Sequence, residues 1–374
     1  MEKEYRICSH CIMDNRSDDT IVFDSNGQCN YCKRAYYWKD KLYFPNQEGE
    51  LKLQQMLAII KKEGKGKKFD CIMGISGGLD SSYLAYLASN WNLRVLAVHI
   101  DDGYDESVTV ENIRKLCEAG NIELHTIKPD DEQFNALTRA YIVAGVPNLA
   151  IPQDSVLFAY LYKMAFKYRI KYFLSGSNFA LENTIQKGNT WSAFDCVNIR
   201  DINKRFGTMS IDKLPLLSTW KMLFYKYVYG MKTVQLLNYI DYNRERAIRE
   251  LNSYCGYEYY GNKHLENTLT KFIQLYYFPN KFQVDKRRSH FSSMIVSGQM
   301  SREEALKEIE KPLYDPVEIE RDIDLILRKL KMSRKEFEYY MSLPPVQHTA
   351  YKVSLLYKAI RKISAYRVKQ RNKK

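Results

Sequence analysis

The chain has 374 residues, of which 45% are hydrophobic, so it is long enough for more than one domain and can bury a sizeable core. No apolar run approaches the ~20 residues that span a bilayer, and no basic-then-apolar start resembles a signal peptide, so we expect a cytoplasmic protein without membrane insertion. The net charge of +13 indicates either a polyanionic ligand or partner or a solvated basic surface.

Two cysteine pairs dominate the first 45 residues. Cys8 and Cys11 form one C-x-x-C motif and Cys29 and Cys32 the other, with a predicted hairpin turn, "DSNGQ", between them. Four thiolates at this spacing can surround zinc. A segment this short cannot bury enough core to be stable alone, so a bound metal would hold it together. We predict a structural zinc site in a zinc-ribbon-like unit. The alternative is a reduced or redox-active dithiol.

Strands and helices alternate after this unit. A helix is predicted over 46–68. The predicted strands are "FDCIMGI", "LRVLAVHI", "IELHTI" and "KYFLSG", with helices between them over 81–90, 105–119 and 152–168. Apolar strands alternating with helices predict an α/β fold with a parallel sheet, whose ligands bind beyond the carboxyl ends of the strands. Three loops lie there: "SGGLDSS", "DDGYDE" and "SGSNFALEN".

The last third of the chain is predicted to be helical and basic. A capping box from Ser301 to Glu304 starts one helix, which stops at Pro312. We therefore expect three units: a zinc-binding unit over 1–45, a nucleotide domain over 46–260 and a helical, basic, substrate-binding region over 261–374.

The first loop has the chemistry of a phosphate cradle. Two glycines let the backbone approach an anion, hydroxyls add donors, and an aspartate calls for a bridging cation such as Mg²⁺. These candidates are Ser76, Gly77, Gly78, Asp80, Ser81 and Ser82. No lysine stands where a Walker loop grips a γ-phosphate, so we expect a cradle for leaving pyrophosphate. The alternative is an ordinary tight turn.

"SGGLDSS" closely resembles the pyrophosphate loop of the ATP-pyrophosphatase (PP-loop, adenine nucleotide α-hydrolase-like) superfamily, whose members adenylate an oxygen and release pyrophosphate. The second loop, "VHIDDGY", resembles the strand end that binds adenosine there, and the third resembles the G-[ST]-x-x-x-x-E loop. The resemblance, over about 69–185, implies ATP and Mg²⁺ as cofactors, with Glu182 sharing the metal with Asp80. It adds His99, Asp101, Gly176 and Ser177 to the nucleotide-binding candidates. His99 also fits the role of a histidine that is packed within a strand and binds no ligand.

A second resemblance runs over about residues 5–345. "CSHCIMDNRSD", "MGISGGLDSSY" and "YGNKHLENTLTKFIQLYYFPNKFQVDKRRSHFSSMIVSGQMSREEAL" are similar to the N-acetyl sugar amidotransferases of the WbpG and PseA type, from bacterial surface polysaccharide biosynthesis. This resemblance implies an ATP-dependent conversion of an acetamido group to an acetamidino group on a nucleotide-linked N-acetylated sugar, in the making of O-antigen, lipopolysaccharide or flagellar glycan.

Basic residues of the last motif are the candidates for charge stabilisation. We assign Lys281 and Lys286 to phosphate, and Arg287 or Arg288 to a sugar carboxylate or diphosphate. Lys263 and His264 are further substrate-side candidates. The predicted catalytic residues are Asp80, Lys281, Lys286 and Arg287. Each basic residue alone fits a solvated surface equally well.

No cysteine stands in a glutaminase motif, and Cys71, Cys117, Cys196 and Cys255 fit packing roles. The resemblance implies ammonia from separate proteins, which are similar to the glutaminase and cyclase subunits of imidazole glycerol phosphate synthase. A PP-loop tRNA-modifying adenylyltransferase or thiolase is the second hypothesis, and a basic nucleic-acid-binding protein the third. For the leading hypothesis, nucleic acid is not an expected partner.

Overall fold

The computed structural model describes residues 4–261 and 265–371. At its centre lies a five-stranded parallel sheet in the order β3-β2-β1-β4-β5. The strands are β1 (Cys71–Gly74), β2 (Val95–Ile100), β3 (Glu123–Ile127), β4 (Tyr172–Leu174) and β5 (Lys232–Val234). The predicted α/β fold with a parallel sheet is confirmed.

Ten helices precede the C-terminal third in the described part of the chain. They are α1 (Asn30–Leu42), α2 (Gln47–Gly64), α3 (Leu79–Asn90), α4 (Ser107–Ala119), α5 (Asp131–Ala144), α6 (Ile151–Lys167), α7 (Phe179–Glu182), α8 (Cys196–Phe206), α9 (Thr219–Leu223) and α10 (Arg244–Cys255). Helices α2, α3, α4 and α6 lie where the hydrophobic pattern predicts them. The sequence analysis did not predict the remaining helices, α1, α5 and α7 to α10, or the three-residue strand β5.

The C-terminal third is helical, as predicted. Its helices are α11 (Thr268–Phe272), α12 (Phe278–Phe282), α13 (Lys286–Ser297), α14 (Arg302–Glu310), α15 (Pro316–Lys329), α16 (Arg334–Ser342) and α17 (Leu355–Arg371). The capping box at the start of α14 is present, because Ser301 and Glu304 exchange side-chain-to-backbone hydrogen bonds. In residues 4–261 and 265–371, no helix is both long and apolar enough to cross a membrane.

Both faces of the sheet are covered, because successive strand residues point to opposite sides. Cys71 and Met73 of β1 belong to the hydrophobic cluster that contains residues of α3 and α4. Ile72 lies in the second cluster, with α5, α6 and much of the C-terminal region. The sheet is thus the wall between two cores, and both cores contain residues of the C-terminal third.

The strand order puts a topological switch point beside β1. This strand pairs with β2 on one side and with β4 on the other. Chain connections therefore leave its carboxyl end in two directions and open a crevice there, which is where open α/β sheets bind ligands.

Candidate active site

The loop between β1 and α3 is built for close approach. Gly77 has a φ of +74°, and a Cβ added there would lie 2.4 Å from a methyl carbon of Thr109. The hydroxyl of Ser76 accepts a hydrogen bond from the Gly78 N–H at 3.2 Å and lies 3.2 Å from that of Ser81. Gly78 is the N-cap of α3, so backbone N–H groups of the first helical turn face this loop.

A buried tyrosine holds Asp80 in this loop. The Tyr242 hydroxyl donates a 2.5 Å hydrogen bond to Oδ1 of Asp80. Burial and then the charge of Asp80 raise the pKa of Tyr242 well above its ordinary value, so the phenol stays a neutral donor. Tyr257 donates likewise to the Gly77 carbonyl at 2.9 Å. Tyr242 and Tyr257 were not singled out from the sequence.

The third loop lies against the first. A Cβ added at Gly176 would lie 3.1 Å from the Ser81 backbone nitrogen, so the two loops touch at their backbones. Asn178 caps the one-turn helix α7 by accepting from the Leu181 N–H, and Glu182 ends that helix. The switch point therefore brings the start of the third loop, at the predicted residues Gly176 and Ser177, against the pyrophosphate loop, while Glu182 lies at the far end of α7.

The second loop is a closed polar network. Nδ1 of His99 lies 3.0 Å from the Ile75 carbonyl and Nε2 lies 3.1 Å from Asp105, so both ring nitrogens contact protein. Burial alone would lower the pKa of His99, but Asp105 raises it above its ordinary value. Asp101 is partly exposed and pairs with Lys128 at 3.0 Å. His99 thus has the packed role that the sequence also allowed, whereas Asp101 remains accessible.

Asp102 is the buried acid of this loop. Burial and then the charge of Asp105 raise its pKa to about 6. Gln153 of α6 donates to it at 2.6 Å and Asn267 at 3.0 Å. Since Asn267 also forms a backbone bridge with Asp105, the C-terminal region is joined to the second loop of the sheet here.

Glu266 is a further acid that the sequence reading did not single out. A Cβ added at Gly78 would lie 2.9 Å from Oε1 of Glu266, so this carboxylate borders the pyrophosphate loop. Its backbone carbonyl accepts from the Thr109 hydroxyl at 2.7 Å. Its position in "HLENT", inside the C-terminal motif, was the available signal. A residue far along the chain thus completes the surroundings of the first loop.

Two clefts share Glu182. The larger has a volume of ≈ 1470 Å³ and runs along the N-terminal unit, the third loop and the segments around Lys281 and His348. The smaller has a volume of ≈ 360 Å³ and is lined by Glu182, Arg244, Lys286, Arg287 and His290, among others. A ligand could therefore contact Glu182 from either side.

The two predicted phosphate-binding lysines have different surroundings. Lys281 lines the larger cleft, and its ammonium donates to the carbonyls of Tyr340 and Leu343 at 2.6 and 2.9 Å. Lys286 begins α13 and lines the smaller cleft, where loss of hydration lowers its pKa to about 8. His290 follows one helical turn later in the same cleft. That i, i+4 spacing was a signal in the sequence.

The two arginines that follow Lys286 have different protein partners, since neighbouring helical residues are ~100° apart. Arg287 pairs with Asp285 at 2.8 Å and donates to carbonyls at the end of α14, while also lining the smaller cleft. Arg288 pairs with Asp14 at 2.9 Å and donates to the Ile12 carbonyl at 3.0 Å. Its guanidinium joins the N-terminal unit to α13. Lys263 and His264 lie outside the described residues.

The four N-terminal cysteines form the predicted cluster. Cys8, Cys11, Cys29 and Cys32 are all buried, and their sulfur atoms lie within 4.8 Å of one another. The sulfur atoms of Cys8 and Cys32 are 3.6 Å apart, as are those of Cys11 and Cys29. Zinc bound by four thiolates at about 2.3 Å separates its ligands by about 3.8 Å in a tetrahedron, so these residues fit a closed, structural zinc site. Arg302 of α14 donates to the backbone carbonyls of Cys8 and Cys11, which ties the cluster to the C-terminal region.

The other cysteines are packed. Cys71, Cys117 and Cys196 are buried, and burial raises the pKa of Cys117 to about 12 and that of Cys196 to about 11. A thiol with so high a pKa is protonated near neutral pH and is a poor nucleophile. These side chains are therefore poorly suited to carrying sulfur.

Two family models match separate parts of the chain. Residues 70–161 match the queuosine biosynthesis protein QueC, and residues 266–364 match the C-terminal domain of WbpG-like LPS biosynthesis proteins. The first match contains the first two loops. The second begins at Glu266 and contains Lys281, Lys286 and the arginines that follow.

Individual relatives are more distant. A tRNA-specific 2-thiouridylase of Fusobacterium nucleatum is 26% identical over 118 residues, which are 30% of this chain and 34% of that protein. An uncharacterized protein of Methanocaldococcus jannaschii is 28% identical over 125 residues, 33% of this chain and 43% of that protein. This chain therefore spans less than half the length of either relative.

Solved structures are similar at low identity. NMN synthetase from Francisella tularensis has 17% identity and a TM-score of 0.33, with coverage of 76% of this chain and 97% of that chain. NH3-dependent NAD synthetase from Campylobacter jejuni has 13% identity and a TM-score of 0.32, with coverage of 80% and 98%. Together with the parallel sheet and its first loop, the two family matches confirm the resemblance seen in the sequence: the chain joins a PP-loop domain to a WbpG-like C-terminal domain.

Proposed function

We propose that this protein is an ATP-dependent amidotransferase, which converts the acetamido group of a nucleotide-linked N-acetylated sugar to an acetamidino group. The observation that carries the proposal is the junction at Glu182. The third loop touches the pyrophosphate loop at Gly176, and its end at Glu182 lines the smaller cleft. The same cleft is lined by Lys286, Arg287 and His290 of the WbpG-like region.

The reaction has two steps. The acetamido oxygen attacks the α-phosphorus of ATP, and pyrophosphate leaves. Ammonia then attacks the activated carbon, AMP departs with the former amide oxygen, and loss of a proton gives the amidine. An amide carbonyl is a poor electrophile, so the first step supplies the leaving group that the second step needs.

Residues of this chain have distinct roles in the proposal. Backbone N–H groups at the start of α3, with Ser76 and Ser81, hold the pyrophosphate, whereas Ser82 is fully buried. Asp80, oriented by Tyr242, and Glu182 hold Mg²⁺, which neutralises phosphate charge when it is bound. Lys286 in its protonated form stabilises negative charge on the α-phosphate, and Arg287 lies in the same cleft for the sugar.

Other parts of the chain have supporting roles. Lys281 positions the segment around Tyr340 and Leu343 at the larger cleft. Zinc on the four cysteines is structural and keeps the N-terminal unit folded. Ammonia comes from separate proteins that resemble a glutaminase and a cyclase, because none of the described cysteines has the surroundings of a glutaminase nucleophile.

The test is release of AMP and pyrophosphate from ATP, Mg²⁺ and an ammonium salt, with a panel of nucleotide-linked N-acetylated sugars. We expect the release of AMP and pyrophosphate to depend on one sugar of the panel. The sugar product should be lighter than its substrate by the mass difference between O and NH. Asp80→Asn should abolish release, whereas Asp324→Asn, at an exposed acid of α15, should leave it unchanged. Sugar-independent AMP release, or full activity of Asp80→Asn, would contradict the proposal.

The second candidate is a tRNA-modifying enzyme, and the likeness to a 2-thiouridylase favours it. That likeness covers 30% of the chain, and the raised thiol pKa values of Cys117 and Cys196 argue against sulfur transfer. A parallel reaction with bulk tRNA distinguishes the two. Turnover with tRNA alone would replace the amidotransferase proposal.

A further inference from the structure

Three cations converge on the larger cleft from separate parts of the chain. Arg34 comes from α1 of the N-terminal unit, Lys187 from the segment after α7, and Arg361 from α17. Among the residues that the structure describes, none of the three has a carboxylate within salt-bridge distance. Loss of hydration lowers the pKa of Lys187, and the charges of Arg34 and Arg361 lower it further. Their mutual repulsion is unfavourable, and a bound polyanion would offset it.

Acidic residues of this cleft do not neutralise the three cations. Asp18 is buried and accepts hydrogen bonds from the backbone N–H groups of Lys187 and Gly188, both at 3.0 Å. The Tyr31 hydroxyl donates to the same carboxylate at 2.7 Å. Asp19 and Glu182 also line the cleft, and Glu182 lies at its border with the smaller cleft.

The N-terminal unit holds the segment that carries Lys187. A Cβ added at Gly188 would lie 2.2 Å from Oδ1 of Asp18, so only glycine allows this close approach. Because Tyr31 and Asp18 belong to the zinc-binding unit, that unit positions both Arg34 and Lys187. The zinc-binding unit is thus a wall of the cleft.

A flat aromatic surface adjoins the cations. The ring of Trp191 is stacked on His348, with centroids 5.7 Å apart and an interplanar angle of 13°. The guanidinium of Arg361 lies 5.0 Å from the centre of the Trp191 ring. The indole nitrogen donates to Asp195 at 3.1 Å, which fixes the ring. Aromatic rings beside cations are the usual surroundings of a nucleobase joined to phosphates.

We propose that Arg34, Lys187 and Arg361 bind the diphosphate of the nucleotide-linked sugar, with the nucleobase beside Trp191. The sugar then extends along the cleft towards Glu182. This subsite rests on the proposed function for the identity of its ligand, and it lies apart from the pyrophosphate loop that holds ATP. Guanidinium groups suit a diphosphate because they donate in pairs to phosphate oxygens.

The test measures binding of UDP, GDP, CDP and dTDP by calorimetry and by tryptophan fluorescence, without turnover. We expect at least one of them to bind, and Arg34→Ala, Lys187→Ala and Arg361→Ala each to weaken it about tenfold, as for loss of a charge-assisted hydrogen bond. Arg249→Ala, at an exposed arginine outside both clefts, is the matched control and should bind normally. Arg34→Lys and Arg361→Lys should bind with intermediate affinity.

A non-hydrolysable ATP analogue is measured in parallel and should bind all variants equally. The subsite is overturned if the wild-type protein binds none of the diphosphates, if the three variants bind them normally, or if the variants lose the ATP analogue to the same extent. It is also overturned if the three cations govern binding of bulk tRNA and of no diphosphate. Diphosphate binding that depends on the three cations, without any AMP formation, would support the subsite and refute the amidotransferase. Sugar-dependent AMP formation that is unchanged in the three variants would support the amidotransferase and refute the subsite.

Discussion

Arg288→Ala tests whether this arginine joins the N-terminal unit to α13 or contacts substrate. The Arg288 and Asp14 side chains are 15% and 5% exposed, so the variant leaves a buried carboxylate without its cation. Loss of one partner of a buried pair costs ~3–5 kcal/mol, against ~0–1 kcal/mol for a surface pair. Asp14 keeps hydrogen bonds from the Ser17 N–H and hydroxyl, so we expect the lower end, about 3 kcal/mol.

The assay is urea unfolding followed by circular dichroism, with zinc release measured by a chromogenic chelator. Arg114→Ala is the control, since Arg114 is half-exposed and pairs with two surface glutamates; we expect a loss below about 1 kcal/mol. Combining Arg288→Ala with Asp14→Asn isolates the coupling of the pair. Unchanged stability together with a raised KM for the sugar would refute the structural role and favour the substrate role predicted from the sequence.

Three further predictions concern the phosphate loop, the smaller cleft and the zinc cluster. Gly77→Ala should abolish AMP formation, and it should lower the stability to urea more than Gly66→Ala does. Both glycines have positive φ, but only a Cβ at Gly77 would also clash with α4. An equal loss of stability in the two variants would contradict this prediction. With a pKa of about 8, Lys286 is charged below pH 8 and neutral above it, so AMP formation should fall as pH rises through 8. Lys286→Arg should keep the rate at higher pH, and an unchanged pH profile would remove Lys286 from the mechanism. Cys29→Ala should eliminate bound zinc, measured by atomic absorption, and should lower the unfolding midpoint, whereas Cys255→Ala should retain zinc. Zinc retained in Cys29→Ala would refute zinc binding by the four clustered cysteines.

Local patterns were sufficient for four of the five strands and for the cluster of four cysteines. The strands from Cys71 and Val95 are buried on both faces, so their continuous apolar runs were legible in the sequence. The two C-x-x-C motifs set the ligand spacing within each pair. The single hairpin turn between the motifs brings the two pairs together into one cluster. Strand β5 was overlooked because it is short. Helix α5 was overlooked although Asp130 caps its start and Gly145 follows its end. In β5, only three residues pair with β4.

The surroundings of the site required the tertiary structure. Tyr242 and Glu266 reach the pyrophosphate loop across more than 150 residues of sequence, and no local spacing indicates such contacts. Adjacent basic residues also separate, because α13 turns Lys286 towards a cleft and Arg288 towards the N-terminal unit.

The sequence by itself determined the chemistry available to this protein: a glycine-rich anion loop, four paired thiolates and a basic C-terminal motif. These depend on residue type and short spacing, which backbone geometry converts directly into local structure. Only the tertiary structure decided which of these groups meet. The strand order places the first and third loops side by side, and the packing of the C-terminal helices and the zinc-binding unit forms the clefts beside the third loop.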